Sequence, residues 1–344
     1  MVTIHEVAAL AGVSIATVSN VINKTKKVAP STEAKVRAAL QELNYVPNIM
    51  AKSLKTNTYN SIGVIAEDIS SFSTPSIIDA VCEFFDSHGY MVNLCNLRTY
   101  SHSEYDTALL QSSLNALEAS RVCGILYIGA NSSNVAHIRS LINLPVVFAY
   151  STATADDFTV NYDDFNAARM AAHLLISHGH KRIAIITGSL EQEFVHQRMM
   201  GFRSAMVEAE LPLLPGFVLP ADWSYDTAYE QACRLLTLDQ RPTAIFAMND
   251  PMACAVIAAA RKYNLQVPRE LSLIGFDNRS CSAYSIPAIT TLNIPLFDIG
   301  NAAAKSLMDL LAGNEIPQNQ LLQCNLIERD SVAEAPELFF EERE

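Results

Sequence analysis

Three pairs of polar side chains stand directly after short apolar segments, where they could form hydrogen bonds to a small ligand. They are Glu67-Asp68, Asn249-Asp250 and Asp277-Asn278. If the preceding segments are parallel strands, these side chains lie at the carboxyl ends of a sheet. Ligands of open α/β folds bind outside those ends. The sequence therefore predicts a cleft with a polar rim.

A second group of polar side chains lies near the amino terminus, on one face of a short predicted helix. Ser14 is positioned to cap this helix, and the inward face of the helix is apolar. The outward face carries Ile15, Ala16, Ser19, Asn20 and Asn23, and Lys24, Lys26 and Lys27 follow it. A polar helix face beside several cations is typical of a helix that enters the DNA major groove. Periodicity alone also allows a small bundle with a solvated face.

Three short helices position that polar face. The first opens with the capping box Thr3–Glu6 and ends at Gly12, and the third begins at Pro30. Two helices joined by a glycine-containing turn, braced by a third, predict a helix-turn-helix head.

The remainder of the chain alternates apolar runs with helical segments. The runs are Ile62–Ala66, Met91–Leu94, Gly124–Ile128, Val146–Tyr150, Arg182–Thr187, Ala244–Met248 and Ser272–Phe276. Continuous apolar runs separated by helices indicate buried parallel strands. The predicted fold class is α/β, with a doubly wound domain or pair of domains behind the head.

The charge is divided unevenly along the 344 residues. The whole chain carries −12, but residues 1–58 hold seven Lys or Arg against three Asp or Glu, a net +4. The remainder holds 17 against 33, a net −16. A basic head on an acidic body indicates that any nucleic-acid contact is made by the head.

Several classes of protein are disfavoured. There is no G-x-S-x-G, H-E-x-x-H or Walker motif, so we predict no enzyme and no cofactor. The seven cysteines are scattered without C-x-x-C spacing, which predicts no metal site and favours the reducing cytoplasm. No apolar run is long enough for a membrane span, and no signal peptide is recognisable.

The head and the segment after it resemble the LacI/GalR family of transcriptional regulators. The resemblance is carried by V-A-x-x-A-G-V-S-x-x-T-V-S-x-V-I-N at 7–23 and L-N-Y-V-P-N-x-x-A-x-S-L-K at 43–55, and it continues along nearly the whole chain. It implies a head at 1–46, a hinge helix at 47–60, a two-lobed core at 61–333 like periplasmic sugar-binding proteins, and an acidic tail at 334–344. The lobes would divide near 161–164, and the chain would cross again near 290–295 and 316–326.

The resemblance also implies contacts to DNA. Major-groove contacts fall on Ser14, Ile15, Ala16, Thr17, Ser19, Asn20 and Asn23, and minor-groove contacts on Asn48, Ala51, Leu54 and Lys55. Leu54 would wedge between base steps beside the Lys55 cation. Asn20 stands where the family most often has arginine, and asparagine pairs with adenine where arginine suits guanine. Ala29 replaces a usual capping serine.

The effector residues implied by the resemblance are Ser73, Tyr150, Arg198, Trp223, Asn249 and Asp277. A carboxylate, a guanidinium and an amide beside one aromatic face suit a carbohydrate, which is the predicted effector. A purine co-repressor is the nearer alternative, and a solute-binding protein without DNA function is the more distant one. We predict a homodimeric repressor on a near-palindromic operator, whose affinity for DNA changes when an effector closes the lobes.

Overall fold

The structure, a computed structural model, describes residues 2–23, 26–45, 60–99, 107–132 and 134–337. It divides into two compact units, Met1–Asn60 and Ser61–Glu344. The predicted hinge residues Asn48, Ala51, Leu54 and Lys55 lie outside the described residues, as does Lys24.

The first unit contains three helices, α1 (Ile4–Ala11), α2 (Ile15–Asn23) and α3 (Pro30–Glu42). The Thr3 hydroxyl accepts from the Glu6 amide, the Glu6 carboxylate accepts from the Thr3 amide, and Gly12 ends α1 at φ 64°. The chain turns through 103° between α1 and α2, within the range of a helix-turn-helix. Apolar residues of all three helices form one core; they are Val7, Ala8, Ala11, Val18, Val21, Val36 and Ala39.

Within the described ranges, no single helix is long and apolar enough to cross a membrane. Only α1 and α2 taken together, as a sharply bent pair, meet the length and composition required.

The second unit contains two six-stranded sheets, each covered by helices. The first sheet has the order β11-β5-β4-β3-β1-β2, and every neighbouring pair is parallel. Its strands are β1 (Ser61–Ala66), β2 (Met91–Asn96), β3 (Ile125–Ile128), β4 (Val146–Ala149), β5 (Thr159–Tyr162) and β11 (Asn319–Leu322). Its helices are α4 (Thr74–Ser87), α5 (Thr107–Ala119), α6 (Ala136–Arg139) and α12 (Leu296–Leu311).

The second sheet has the order β12-β10-β9-β8-β6-β7, with β12 antiparallel to β10 and the other pairs parallel. Its strands are β6 (Ile183–Thr187), β7 (Val218–Pro220), β8 (Ala244–Ala247), β9 (Ser272–Phe276), β10 (Thr290–Asn293) and β12 (Asn325–Ile327). Its helices are α7 (Asp164–Ser177), α8 (Glu193–Glu208), α9 (Tyr225–Leu236), α10 (Asp250–Lys262) and α11 (Ser280–Tyr284), with a 3₁₀ turn at Pro215–Phe217.

The two sheets define two lobes, and the chain passes between them three times. The passages lie between β5 and α7, between β10 and α12, and between β11 and β12. A helix-turn-helix head followed by two parallel-dominated α/β lobes confirms the predicted fold class.

All seven predicted apolar runs form strands, but one of them is not buried. Met91 and Leu94 of β2 are about half exposed, because β2 is the edge strand of its sheet and pairs on one side only among the described strands. The other six runs supply the interior of the two sheets, where their residues are buried almost without exception.

Candidate functional site

The carboxyl ends of β8 and β9 carry two of the predicted effector residues. Asn249 follows β8 and is buried; its Oδ1 accepts from the Met252 amide at 2.8 Å and so caps α10. Its Nδ2 donates to the Trp223 carbonyl at 3.3 Å. Asp277 follows β9 and is also buried. The topology therefore brings these two distant residues to the same end of the second lobe.

Arg198 projects from α8 into the same region and is almost completely buried. Nε donates to Asp164 Oδ1 at 2.7 Å, Nη1 to the Met248 carbonyl at 2.7 Å, and Nη2 to the Tyr162 hydroxyl at 2.6 Å. Its Cζ lies 3.7 Å from the centre of the Phe276 ring. All three nitrogens of the guanidinium are thus engaged by the protein itself.

Burial and charge oppose each other in this cluster. Burial raises the pKa of Asp164, and the charge and hydrogen bond of Arg198 offset only part of that rise. Burial by itself would lower the pKa of Arg198, but Tyr162, Asp164 and Asp277 raise it above its ordinary value. The guanidinium therefore stays charged and holds Asp164 and Tyr162 in place.

Asp277 belongs to a second ion pair, which reaches the other lobe. Its Oδ2 accepts from Arg279 Nε at 2.9 Å, and the Cζ of Arg279 lies 3.8 Å from the centre of the Phe72 ring. Burial raises the pKa of Asp277 to about 6 although Arg279 and Arg198 both lower it. Burial likewise raises the pKa of Asp250 to about 7, with Thr291 opposing the rise.

Trp223, the single tryptophan of the chain, lies on the same side of the lobe. Its ring stacks on Phe194 with centroids 5.6 Å apart, and its Nε1 donates to Gln192 Oε1 at 2.7 Å. Gly188 is needed here because a Cβ at that position would collide with the indole. Arg198 Cζ is 5.8 Å from the centre of the indole, so the aromatic pair and the cation are neighbours.

Tyr150 and Ser73 belong to the first lobe. Tyr150 is buried and stacks on Tyr162 with centroids 5.7 Å apart, so it adjoins the partner of Arg198. Burial raises its pKa well above the ordinary tyrosine value. Ser73 is fully buried, and its hydroxyl bonds Ser71 at 3.1 Å and the Ala130 carbonyl at 3.4 Å. In this conformation the ring of Phe72, and not the hydroxyl of Ser73, meets the other lobe.

The backbone at three of the six predicted effector residues is left-handed. Tyr150, Trp223 and Asp277 have φ of 53°, 68° and 98°, which side chains other than glycine rarely adopt. Such conformations persist only where the surrounding structure enforces them, and they cluster at ligand sites.

A cavity of about 510 Å³ opens between the lobes beside Asp277. In the described part of the chain, its lining consists of Phe72, Ser76, Asp277, Asn278, Arg279, Ser280, Asn293, Ile294, Pro295, Leu296, Phe297 and Asp298. Volumes of this size accommodate a sugar or a nucleobase. No group of three or more His, Cys, Asp or Glu side chains among the described residues could hold a metal ion.

Several residues of this region were not predicted from the sequence. Asp164 and Tyr162 flank the first passage between the lobes, and residues 293–298 form the second. The sequence indicates both segments, because a segment that crosses between two lobes borders the cleft between them. Arg279, two positions after Asp277, offered no such signal.

In the head, the predicted major-groove residues all lie on α2 or at its start. Ser14, Ile15 and Ala16 are exposed, and the Ser14 hydroxyl accepts from the Thr17 amide at 3.2 Å. Asn23 Nδ2 donates to the Ser19 carbonyl at 2.9 Å, which ties its side chain to the helix. Ala29 precedes α3 without a side-chain cap, as expected for alanine.

Comparison with known proteins places this architecture in a defined class. The family described as "Bacterial regulatory proteins, lacI family" matches residues 3–48, and the family described as "Periplasmic binding protein-like domain" matches residues 172–332. Head and core together define a transcriptional regulator whose body resembles periplasmic binding proteins.

Relatives that match nearly the whole chain define the family more closely than the two domain matches do. The HTH-type transcriptional repressor PurR of Proteus mirabilis (strain HI4320) is 37% identical over 98% of both chains, and that of Yersinia pestis (strain Pestoides F) is 36% identical over 98% of both. The lac repressor dimer bound to operator and the anti-inducer ONPF superposes with a TM-score of 0.83 at 26% identity, over 96% of this chain and 99% of that one. The chain belongs to the LacI/GalR family and is a DNA-binding transcriptional repressor.

Proposed function

We propose that this repressor binds a small effector between the two lobes, and that the effector changes its affinity for operator DNA. The observation that carries the proposal is the position of Asp277. It is a buried carboxylate at the carboxyl end of β9, it borders the interlobe cavity, and it is linked through Arg279 to Phe72 of the opposite lobe. A ligand that bonds Asp277 therefore changes the contact between the lobes.

For the effector class, we place the purine alternative first and a carbohydrate second. The PurR repressors support the purine class because they match nearly the full chain at higher identity than the lac repressor does. Phe72 offers an aromatic face beside a carboxylate, which suits a planar base with N–H donors. A carbohydrate is supported by the indole of Trp223, 5.8 Å from Arg198, and by Asp277; of these three residues only Asp277 lines the cavity.

Operator binding by a homodimer in the cytoplasm completes the proposal. The exposed start of α2 would read base edges, and a symmetric dimer would select a near-palindromic site. Selection of the full-length protein on a random duplex library tests this. We expect enrichment of a sequence with two inverted half-sites. Enrichment of single half-sites would contradict the dimer.

The effector proposal is tested with the emission of Trp223, the single tryptophan. We expect a purine base, tested as adenine, guanine and hypoxanthine, to change this emission with saturation. A saturable change with methyl β-galactoside or cellobiose alone would favour a carbohydrate effector. Asp277→Asn should abolish the response. Asp239→Asn removes an exposed carboxylate and serves as the control, which should respond like the unaltered protein. An undiminished response in Asp277→Asn would refute the role of Asp277.

A further inference from the structure

Arg279 contacts both lobes at the mouth of the proposed effector site. Its Nε donates to Asp277 at 2.9 Å, and its Cζ lies 3.8 Å from the centre of the Phe72 ring. A charge-assisted hydrogen bond and stacking on an aromatic face are also the interactions that a bound ring compound would make there. Arg279 therefore occupies two contacts that an effector needs.

The backbone of Arg279 is fixed, whereas its side chain is held loosely. Its amide donates to Asp250 Oδ2 at 2.6 Å, and its carbonyl accepts from the Ser282 hydroxyl at 2.7 Å. The side chain is 32% exposed. By contrast, the side chain of Arg198 is 3% exposed and donates to three acceptors. The Arg279 guanidinium can therefore leave the cleft without a change in its backbone.

We propose that Arg279 is an internal competitor of the effector. In the ligand-free protein its guanidinium caps Asp277 and holds Phe72 of the other lobe; the effector binds when it takes over both contacts and displaces the guanidinium. The inference rests on the proposed function, because it requires Asp277 to be a ligand of the effector. It also restricts the effector to ring compounds that present an N–H or O–H donor to Asp277.

The competition lowers the apparent affinity for the effector in proportion to the fraction of molecules whose Arg279 guanidinium has left Asp277. A partly exposed ion pair and a cation–π contact are each modest, and together they favour the capped state about five- to thirtyfold. Removing the guanidinium should therefore tighten effector binding by about tenfold. If Arg279 instead helped to hold the effector, removing its guanidinium would weaken effector binding.

The first experiment uses Arg279→Ala and a probe that does not depend on the identity of the effector. Methylguanidinium chloride at low millimolar concentration should raise the thermal midpoint of Arg279→Ala, because the ion can refill the vacated place between Asp277 and Phe72. Methylammonium chloride should not, because it lacks the planar fork. The unaltered protein and Arg203→Ala, which loses an exposed arginine of α8, should respond to neither ion. Equal responses in all three proteins would overturn the inference.

The second experiment titrates the same three proteins with the purines and carbohydrates named above, followed by Trp223 emission. We expect about tenfold tighter binding to Arg279→Ala than to the unaltered protein or Arg203→Ala. Unchanged or weaker binding to Arg279→Ala overturns the competitor role alone. Lack of binding to all three proteins overturns the proposed function, so the two failures can be told apart. Binding seen only with Arg279→Ala supports the competition.

Discussion

Replacing Arg198 by methionine should destabilise the second unit and make its stability strongly dependent on pH. Arg198 is the cation that faces the buried Asp164 carboxylate at 2.7 Å. Methionine has a side chain of comparable length and leaves that carboxylate without a counter-charge. Breaking a buried ion pair by removing one partner costs about 3–5 kcal/mol. We expect a loss in this range at pH 8.

The sign of the pH dependence follows from the pKa of Asp164. Burial raises this pKa in the folded protein, and Arg198 is the main opposing influence. Without Arg198 the pKa rises further above its unfolded value of about 3.9. A carboxyl group with a raised folded pKa loses stability as pH rises from the unfolded toward the folded pKa. Arg198→Met should therefore be closer to the unaltered protein at pH 5 than at pH 8.

Urea unfolding at pH 5 and pH 8 measures both effects, with circular dichroism and Trp223 emission as probes. Asp164→Asn and the double variant Arg198→Met/Asp164→Asn complete a cycle. The double variant should recover about 1–3 kcal/mol relative to the sum of the single losses, since no unpaired charge remains. Arg203→Met on the same helix α8 is exposed and should change stability little. Additive losses, or equal losses at the two pH values, would refute the assignment of Arg198 and Asp164 as a buried pair.

Three further predictions concern other parts of the chain. Gly188→Ala should lower the free energy of unfolding by about 1–3 kcal/mol and shift Trp223 emission, because the new Cβ collides with the indole. Gly216→Ala places its Cβ in open space and should do neither; equal urea midpoints of the two variants would contradict this. The thermal midpoint of Asp250→Asn, measured relative to the unaltered protein, should be higher at pH 8 than at pH 5, because the buried carboxyl with a pKa of about 7 is ionised only at the higher pH; the same difference at both pH values would contradict this. Asn20→Arg should exchange adenine for guanine at one position per half-site, with a discrimination of about 1–3 kcal/mol in library selection; an unchanged selected sequence would show that position 20 does not contact bases.

The sequence predicted most of the fold because burial is encoded in the types of residues. Seven apolar runs became strands, and the capping box and Gly12 fixed the bounds of α1. Five strands were not predicted. They are β5, β7, β10, β11 and β12; each is three or four residues long and each contains Thr, Asn or Pro. Such segments lack an apolar run, and they form strands because a neighbouring strand presents free hydrogen-bonding groups.

The site was predictable only in part, for a related reason. Asp277, Asn249 and Trp223 have positions that follow from strand ends or from the family pattern, and the structure brings them to one end of the second lobe. The partners of Arg198 are two residues from the first passage between the lobes and a main-chain carbonyl. Their convergence depends on how three distant segments pack. Ser73 lies in the predicted loop, but its hydroxyl forms hydrogen bonds to Ser71 and Ala130 of its own lobe and does not face the cleft.

The division of charge limits how this repressor can hold DNA. Phosphate binding draws its free energy from cations that displace counterions, and residues 1–58 carry seven of them against three acidic residues. The remaining chain carries a net −16 and repels a polyanion. We therefore expect one head alone to gain little from phosphates and tight binding to need two heads on one operator. If the effector prevents both heads from binding together, we expect the protein to leave the DNA, because the rest of the chain carries a net −16 and repels the phosphates.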